Sequence, residues 1–400
     1  MEKEAVRKKT SAQALIEIWL VSTKLGLTSF GGPIAHLGYF HDEYVRRRKW
    51  MDEKSYADLV ALCQFLPGPA SSQVGIGIGV MRAGVLGGMV SFLGFTLPSA
   101  LVLIIFALIL QGLDIGNNAG WIHGLKVVAV AVVAQAILGM AQKLTPDLKR
   151  KAIALFALAA TLLWQTSYTQ VGVILLAAIF GFLLYSKNNE AAANKNQFPL
   201  SRKFGVFCLS LFFALLFFLP ILREVTSSHW IAVFDSFYRS GSLVFGGGHV
   251  VLPLLEREFV PNGWISKEVF LAGYGAAQAV PGPLFTFAAY LGAVMHGWLG
   301  GLIATLAIFL PAFLLIFGTL PFWETLRSNP KINGALMGVN AAVVGILIAA
   351  FYQPIWTSSI VEPMDFAFAA VLFSLLVYWK LPPWVIVVAG AAGGALISIF

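Results

Sequence analysis

Helix-breaking residues recur at matched depths in two apolar halves of this chain. Residues 30–33 read Phe-Gly-Gly-Pro. A charged stretch, Trp50 and then Gln64-Phe-Leu-Pro67-Gly68-Pro69 follow. Residues 245–248 read Phe-Gly-Gly-Gly, and another charged stretch, Trp264 and Gln278-Ala-Val-Pro281-Gly282-Pro283 follow in the same order. The two passages lie about 215 residues apart. This is the pattern of a transporter built from duplicated bundles, with its site where the helices are interrupted.

Composition fixes the solvent. Of 400 residues, 58% are hydrophobic and 12% charged, against about 25% charged in an average soluble domain. So much apolar surface needs a lipid bilayer around it. The first eleven residues are polar and carry Lys3, Arg7, Lys8 and Lys9, which is not the pattern of a cleavable signal peptide. The net charge of +8 comes mainly from short loops, so it points to membrane orientation rather than to nucleic acid. Cys63 and Cys208 sit in apolar surroundings and read as small buried side chains. No metal-ligand spacing, nucleophile elbow or phosphate-binding loop is present, so no cofactor is expected and energy must come from ion or voltage gradients.

Every apolar segment reads as helix, and none alternates with the period of a lumen-lining strand. The expected fold is an all-α polytopic membrane protein of two homologous helical bundles, related as an inverted repeat with re-entrant helices. The halves are 1–186 and 223–400, joined by a cytoplasmic linker at 187–203 and an unmatched helix at 204–222. Arg46–Lys49, Lys143–Lys151 and the linker are basic, whereas 112–119 and 165–170 carry no Lys or Arg. The basic loops, and the N-terminus with them, are therefore expected in the cytoplasm. In the second half the assignments swap: 324–331 is basic and 353–363 is not. One extra crossing would invert the second copy.

With the N-terminus and Arg46–Lys49 on one side, residues 12–47 must enter and return, turning at Phe-Gly-Gly-Pro. Residues 55–81 do the same around Pro67-Gly68-Pro69, each arm being about half of the ~20 residues a spanning helix needs. A break at mid-membrane exposes backbone N–H groups that carry about half a positive charge, and an anion there satisfies them. Pro69 suits a first helical position. The candidate anion site therefore comprises Gly31, Gly32, Gln64, Pro67, Gly68, Pro69, Ser71 and Ser72. In the second copy it comprises Gly246, Gly247, Gln278, Pro281, Gly282, Pro283 and Thr286. A packed structural kink is the competing reading, and the double occurrence favours the site.

Lys24 and Arg239 occupy equivalent places, six residues before Phe30 and Phe245. As intramembrane cations they are candidate ligands, with Arg82 as a third. Glu17 is the expected local partner of Lys24, and Asp235 that of Arg239; intrahelical salt bridging is the bland alternative. His36 and His249 follow the Phe-Gly-Gly turns and join Glu17 and Asp235 as candidates for proton coupling. Glu43 and Glu258 also match but border charged loops, where solvation is the default.

Phe30-Gly-Gly-Pro, His41-Asp-Glu-Tyr-Val followed by Trp50, Leu66-Pro-Gly-Pro, and Phe245-Gly-Gly-Gly-His-Val-Val-Leu-Pro with Pro281-Gly-Pro together resemble the chromate ion transporter family, over essentially the whole chain. The resemblance implies a bacterial inner-membrane exporter with oppositely oriented halves, and chromate as substrate with sulfate as its tetrahedral relative. Sulfate uptake or exchange on the same scaffold, a membrane-embedded chromate reductase and an anion channel are the alternatives. No nucleic acid is expected as a partner, and the sequence is compatible with a homodimer.

Overall fold

The computed structural model describes residues 11–30, 32–112, 120–164, 167–185, 200–245, 250–323 and 330–397. Every regular element among them is helical. Helix α1 (Ser11–Thr28) is followed by α2 (Gly32–Phe40), which runs on as a π-helical turn, His41–Arg47. The two fold back on each other. Lys24 meets Glu43 at 3.2 Å, Ser22 meets Tyr44 at 3.5 Å, and Glu17 meets Arg48 at 3.0 Å. Partner numbers rise as the α1 number falls, so this is an antiparallel hairpin that turns between Thr28 and Gly32.

A second hairpin follows. Helix α3 (Glu53–Phe65) and the start of α4 (Ala70–Gly112) meet around Pro67-Gly68-Pro69, with Gly77 packed on the Leu59 side chain. Helix α4 is not one rod. Ala83 and Gly84 leave helical geometry, with Gly84 at φ 65°. The chain reverses there, so that Ser91 Oγ donates to the Gly75 carbonyl at 2.8 Å. An added Cβ at Gly84 meets nothing within 4 Å. Its glycine is needed for the left-handed conformation, not for space. Residues 70–82 thus return towards the end at which α3 began, and 85–112 is the long arm that crosses.

The second copy repeats each step. Helices α9 (His229–Leu243) and α10 (Val251–Phe259) pair through Arg239 and Glu258 at 3.3 Å, and through the Phe237 and Phe259 rings. Helix α11 (Lys267–Ala277) pairs with the start of α12 (Phe287–Thr319, preceded by a 3-10 turn at Leu284–Thr286), where Tyr290 Oη donates to the Val269 carbonyl at 3.0 Å. The reversal at His296 and Gly297 has nearly the dihedrals of Ala83 and Gly84. The unmatched helix is α8 (Arg202–Thr226), 25 residues and apolar enough to span. The chain is an all-α polytopic membrane protein.

The long arms of α4 and α12 pack side by side. Phe92 meets Phe313 with centroids 4.8 Å apart, Ile104 lies against Gly301, and Gln111 Nε2 donates to the Val294 carbonyl. Numbers rise along one arm as they fall along the other, so these equivalent helices run antiparallel.

The remaining helices are exchanged between the copies. Helix α5 (Gly120–Leu144) packs on α14 (Pro363–Val377) and α15 (Pro383–Ile397), whereas α13 (Pro330–Ala350) packs on α6 (Leu148–Leu163) and α7 (Ser167–Leu184). Gly124 abuts Gly390 and Gly394, and Gly338 abuts Ala177 and Gly181. Small residues let backbones approach closely in lipid, where dispersion contacts replace a hydrophobic driving force. His123 Nε2 also meets Asp365 Oδ1 at 2.6 Å, across the two copies. Each packed unit therefore draws helices from both halves of the sequence.

A polar cap ties α6 to the end of α7. Asp147 caps α6, accepting from the Arg150 N–H at 3.0 Å, and also meets Arg150 Nε and Tyr185 Oη. The backbone hydrogen bond from Arg150, helped by the guanidinium and the phenol, lowers its carboxyl to about 2. A depressed pKa contributes stability that is present above the ordinary carboxylate range and is lost as pH falls towards 2. We expect Asp147→Ala to lower stability by about 1 kcal/mol at neutral pH, read by thermal melting in detergent, with the difference from wild type shrinking in acid.

Candidate functional site

The four hairpin tips cross reciprocally. The Gly68 N–H donates to the Val244 carbonyl at 2.7 Å, and the Gly282 N–H donates to the Ser29 carbonyl at 2.9 Å. Each Pro-Gly-Pro tip thus closes on the residue just before Phe245 or Phe30 in the other copy. Gly68 and Gly282 have φ of +112° and +100°, a region that other residues enter at a cost of about 1–2 kcal/mol. A Cβ on Gly282 would lie 2.9 Å from Ser99 Oγ, and one on Gly68 would lie 3.7 Å from Ala312 Cβ. Ser99 and Ala312 stand about midway along the crossing arms, so the tips meet at mid-depth.

The first copy supplies a polar lining there. His36, 1% exposed, packs edge-on to Phe95, lies beside the Ser29 backbone and meets Ser71 Oγ through Nδ1 at 3.3 Å. Gln73 Nε2 donates to the Pro67 carbonyl at 2.9 Å, which satisfies part of the broken turn. Several buried polar atoms have no partner among the described residues: Ser29 Oγ, His36 Nε2, Ser72 Oγ, Gln73 Oε1 and Thr96 Oγ1. Leaving such groups unpaired is costly, so a cluster of them points to a ligand or to water.

The second copy has the geometry without the chemistry. The places of Ser29, His36, Ser71, Gln73, Thr96 and Ser99 are taken by Val244, Val251, Phe285, Phe287, Phe309 and Ala312. Thr286 keeps a hydroxyl, but it donates to the Pro283 carbonyl at 2.7 Å. Gln278 Nε2 has no partner among the described residues. Ser29, Gln73, Thr96 and Ser99 were not singled out by sequence reasoning. The signal lay in comparing the copies position by position, where polar residues stand opposite apolar ones.

Two cavities flank the tip at Gly32 and Pro33. One, of about 260 Å³, is bordered by Pro33, Gln64, Gly68, Ala70, Lys143 and Asn340 among others. That is room for several waters, since one water needs roughly 10–15 Å³ on this measure. The other, of about 40 Å³, is bordered by Gly32, Gln135, Gln278 and Gly282. Gly31, Gly246, Gly247 and His249 lie outside the described residues.

The intramembrane cations are elsewhere, in two carboxylate networks. Lys24 does not pair with Glu17 as expected from local spacing; its partner is Glu43, because the hairpin returns that side chain to it. Glu43 also accepts from Arg47 and Arg48, while Glu17 binds Arg48 and Arg82 at 3.0 and 2.9 Å. Arg82 and Arg48 lie over Trp50, at 4.2 and 5.6 Å from its centroid. In the second copy Arg239 binds Asp235 at 2.7 Å, as expected, and also Glu258. Glu43 and Glu258 are thus buried ion-pair partners rather than solvated loop residues. The second copy lacks Arg82, where Met295 stands. Arg223 of α8 reaches both acids and lies over Trp264 instead. The unmatched helix thereby restores a missing cation. Among the described residues no group of His, Cys, Asp and Glu could hold a metal ion.

The family model described as Chromate transporter matches residues 16–182 and 231–395. The chain is 28% identical to a probable chromate transport protein of Synechococcus elongatus, covering 96% of this chain and 95% of that one. It is 28% identical to a chromate transport protein of Cupriavidus metallidurans over 92% and 89%. It is 25% identical to an uncharacterized transporter of Methanocaldococcus jannaschii over 87% and 86%. No solved structure matches.

Proposed function

The chain belongs to the chromate transporter family and is a transporter rather than an enzyme; from that premise we propose that it exports chromate across the bacterial inner membrane and binds it where the hairpin tips cross. The observation that carries this reading is the reciprocal closure of Gly68 on Val244 and Gly282 on Ser29, surrounded by unpartnered buried hydroxyls and His36. Helix α4 starts at Ala70, and the 3-10 turn leading into α12 starts at Leu284, each directly after its Pro-Gly-Pro tip, and a tetrahedral dianion suits the N–H donors of such starts. Lys24, Arg82 and Arg239 hold the hairpins through their carboxylates, and the reading does not require them to touch the anion.

The two copies face opposite sides of the membrane in this reading. The antiparallel packing of equivalent arms supports it, as do the loop charges. Alternating access then works by shifting the tips against the exchanged helices, since the sequence halves are interleaved rather than free to rock as separate bodies. Export of a dianion is favoured by an inside-negative potential, by about 2.3 kcal/mol per charge per 100 mV. Proton antiport is the second reading, favoured by the buried, half-satisfied His36 ring.

Everted vesicles provide the test. Labelled chromate should enter saturably, faster with an interior-positive potential, and sulfate should compete. Vesicles that take up chromate no faster than those lacking the protein, or that move it only in the opposite direction, overturn the proposal. An effect of an imposed pH gradient that disappears in His36→Gln would assign the coupling to that ring.

A further inference from the structure

Helix α5 borders both cavities. Gly139, Met140, Lys143 and Leu144 line the larger one, and Val132 and Gln135 the smaller. Positions 132, 135, 139, 140 and 143 recur at helical spacing, so they form one stripe along the helix. Burial follows the same division: residues 127–133 are buried, and from Ala134 to Leu144 none is. At Gly139 an added Cβ would meet nothing within 4 Å, which marks open space against the helix.

Among the described residues Lys143 is the one charged side chain lining the larger cavity; it is exposed, and no carboxylate among them pairs with it. Gln135 lies two turns deeper, about 12 Å along the axis at 1.5 Å per residue, beside Gln278 and Gly282. The Gly32–Pro33 tip stands between the two: Pro33 borders the larger cavity and Gly32 the smaller.

We propose that this face of α5 is the wall of the translocation path, with Lys143 recruiting the oxyanion at the mouth and Gln135 contacting it beyond the Gly32–Pro33 tip. This rests on the transport reading above. An unpaired cation at the mouth of a low-dielectric cleft raises the local concentration of a dianion, and that effect weakens with salt. It acts on capture, so it belongs in KM. The space at Gly139 lies on the route itself, so filling it must obstruct passage.

The test uses the full chain in liposomes and labelled chromate presented at the Lys143 side. Lys143→Gln should raise KM about five- to tenfold, leave the maximal rate within about twofold, and flatten the dependence of uptake on ionic strength; Lys143→Arg should restore the KM and the salt dependence. Gly139→Leu should cut the maximal rate at least tenfold with an unchanged melting temperature. Gln135→Leu should lower the maximal rate while retaining the salt dependence. If Lys143→Gln keeps the wild-type KM and salt dependence, or Gly139→Leu transports normally, the path is not along α5 although the protein remains a chromate transporter. If wild-type protein moves neither chromate nor sulfate, the transport reading falls and this one with it.

Discussion

Asp235→Ala is expected to remove most of the folded protein from the membrane. The Asp235 side chain is 1% exposed and holds Arg239 at 2.7 Å and Arg223 at 3.5 Å. Without it two guanidinium groups share Glu258, at 3.3 and 3.7 Å. Breaking a buried pair in this way costs about 3–5 kcal/mol, because a charge is left uncompensated. That is a large part of a typical stability of roughly 5–15 kcal/mol. The double variant Asp235→Ala, Arg239→Ala should recover much of the loss, since charge balance returns. Lys24→Ala should cost no more than about 1 kcal/mol, because Lys24 is half exposed and Glu43 keeps Arg47 and Arg48. Yield of monodisperse protein and its melting temperature read all three. An Asp235→Ala protein with wild-type yield and melting temperature would show that the network is not what holds α8, α9 and α10 together.

Gly282→Ala should abolish most transport and do so more severely than Gly68→Ala. Both glycines have positive φ, so alanine is strained at either by about 1–2 kcal/mol. At Gly282 the new methyl would also lie 2.9 Å from Ser99 Oγ and 3.3 Å from Ser99 Cβ, on a rigid helix. At Gly68 the closest atom is Gln73 Nε2 at 3.2 Å, the end of a side chain that can move. Chromate flux should fall at least tenfold in Gly282→Ala, and adding Ser99→Ala should recover part of it. Gly38→Ala is the control, because an added Cβ there meets nothing within 4 Å. Equal behaviour of Gly282→Ala and Gly38→Ala would mean that the tips do not need their close contact.

The hairpins were legible because helix breakers are local. Pro67-Gly68-Pro69 and Phe30-Gly-Gly announce themselves in the chain, and short apolar arms on either side leave a turn inside the protein as the only economical arrangement. Pairing across a turn was not legible. Position on one helix points Lys24 to Glu17, yet the hairpin brings Glu43 back from nineteen positions away. The exchange of α5 and α13 between copies depends on Gly124, Gly338 and their partners, and small residues in an apolar run look alike until their neighbours are known. Duplication suggested that both copies line the anion site with like groups. The polar lining at Ser29, His36, Ser71 and Gln73 has no counterpart at Val244, Val251, Phe285 and Phe287; aligning the copies shows the substitutions, but that these positions share one site is visible only in the contacts.

Ser29→Ala and Ser72→Ala test most directly that the anion is bound among the crossed tips. Both hydroxyls are buried and lack a partner among the described residues, so removing either should leave the melting temperature equal or higher. A hydroxyl that serves only the fold would make no difference to flux; one that donates to the anion in a water-poor site should cost roughly tenfold or more. Chromate flux and melting temperature measured on the same preparations should therefore move apart, with transport falling while stability holds. Transport at the wild-type rate in the combined Ser29→Ala, Ser72→Ala protein would contradict the placement of the site.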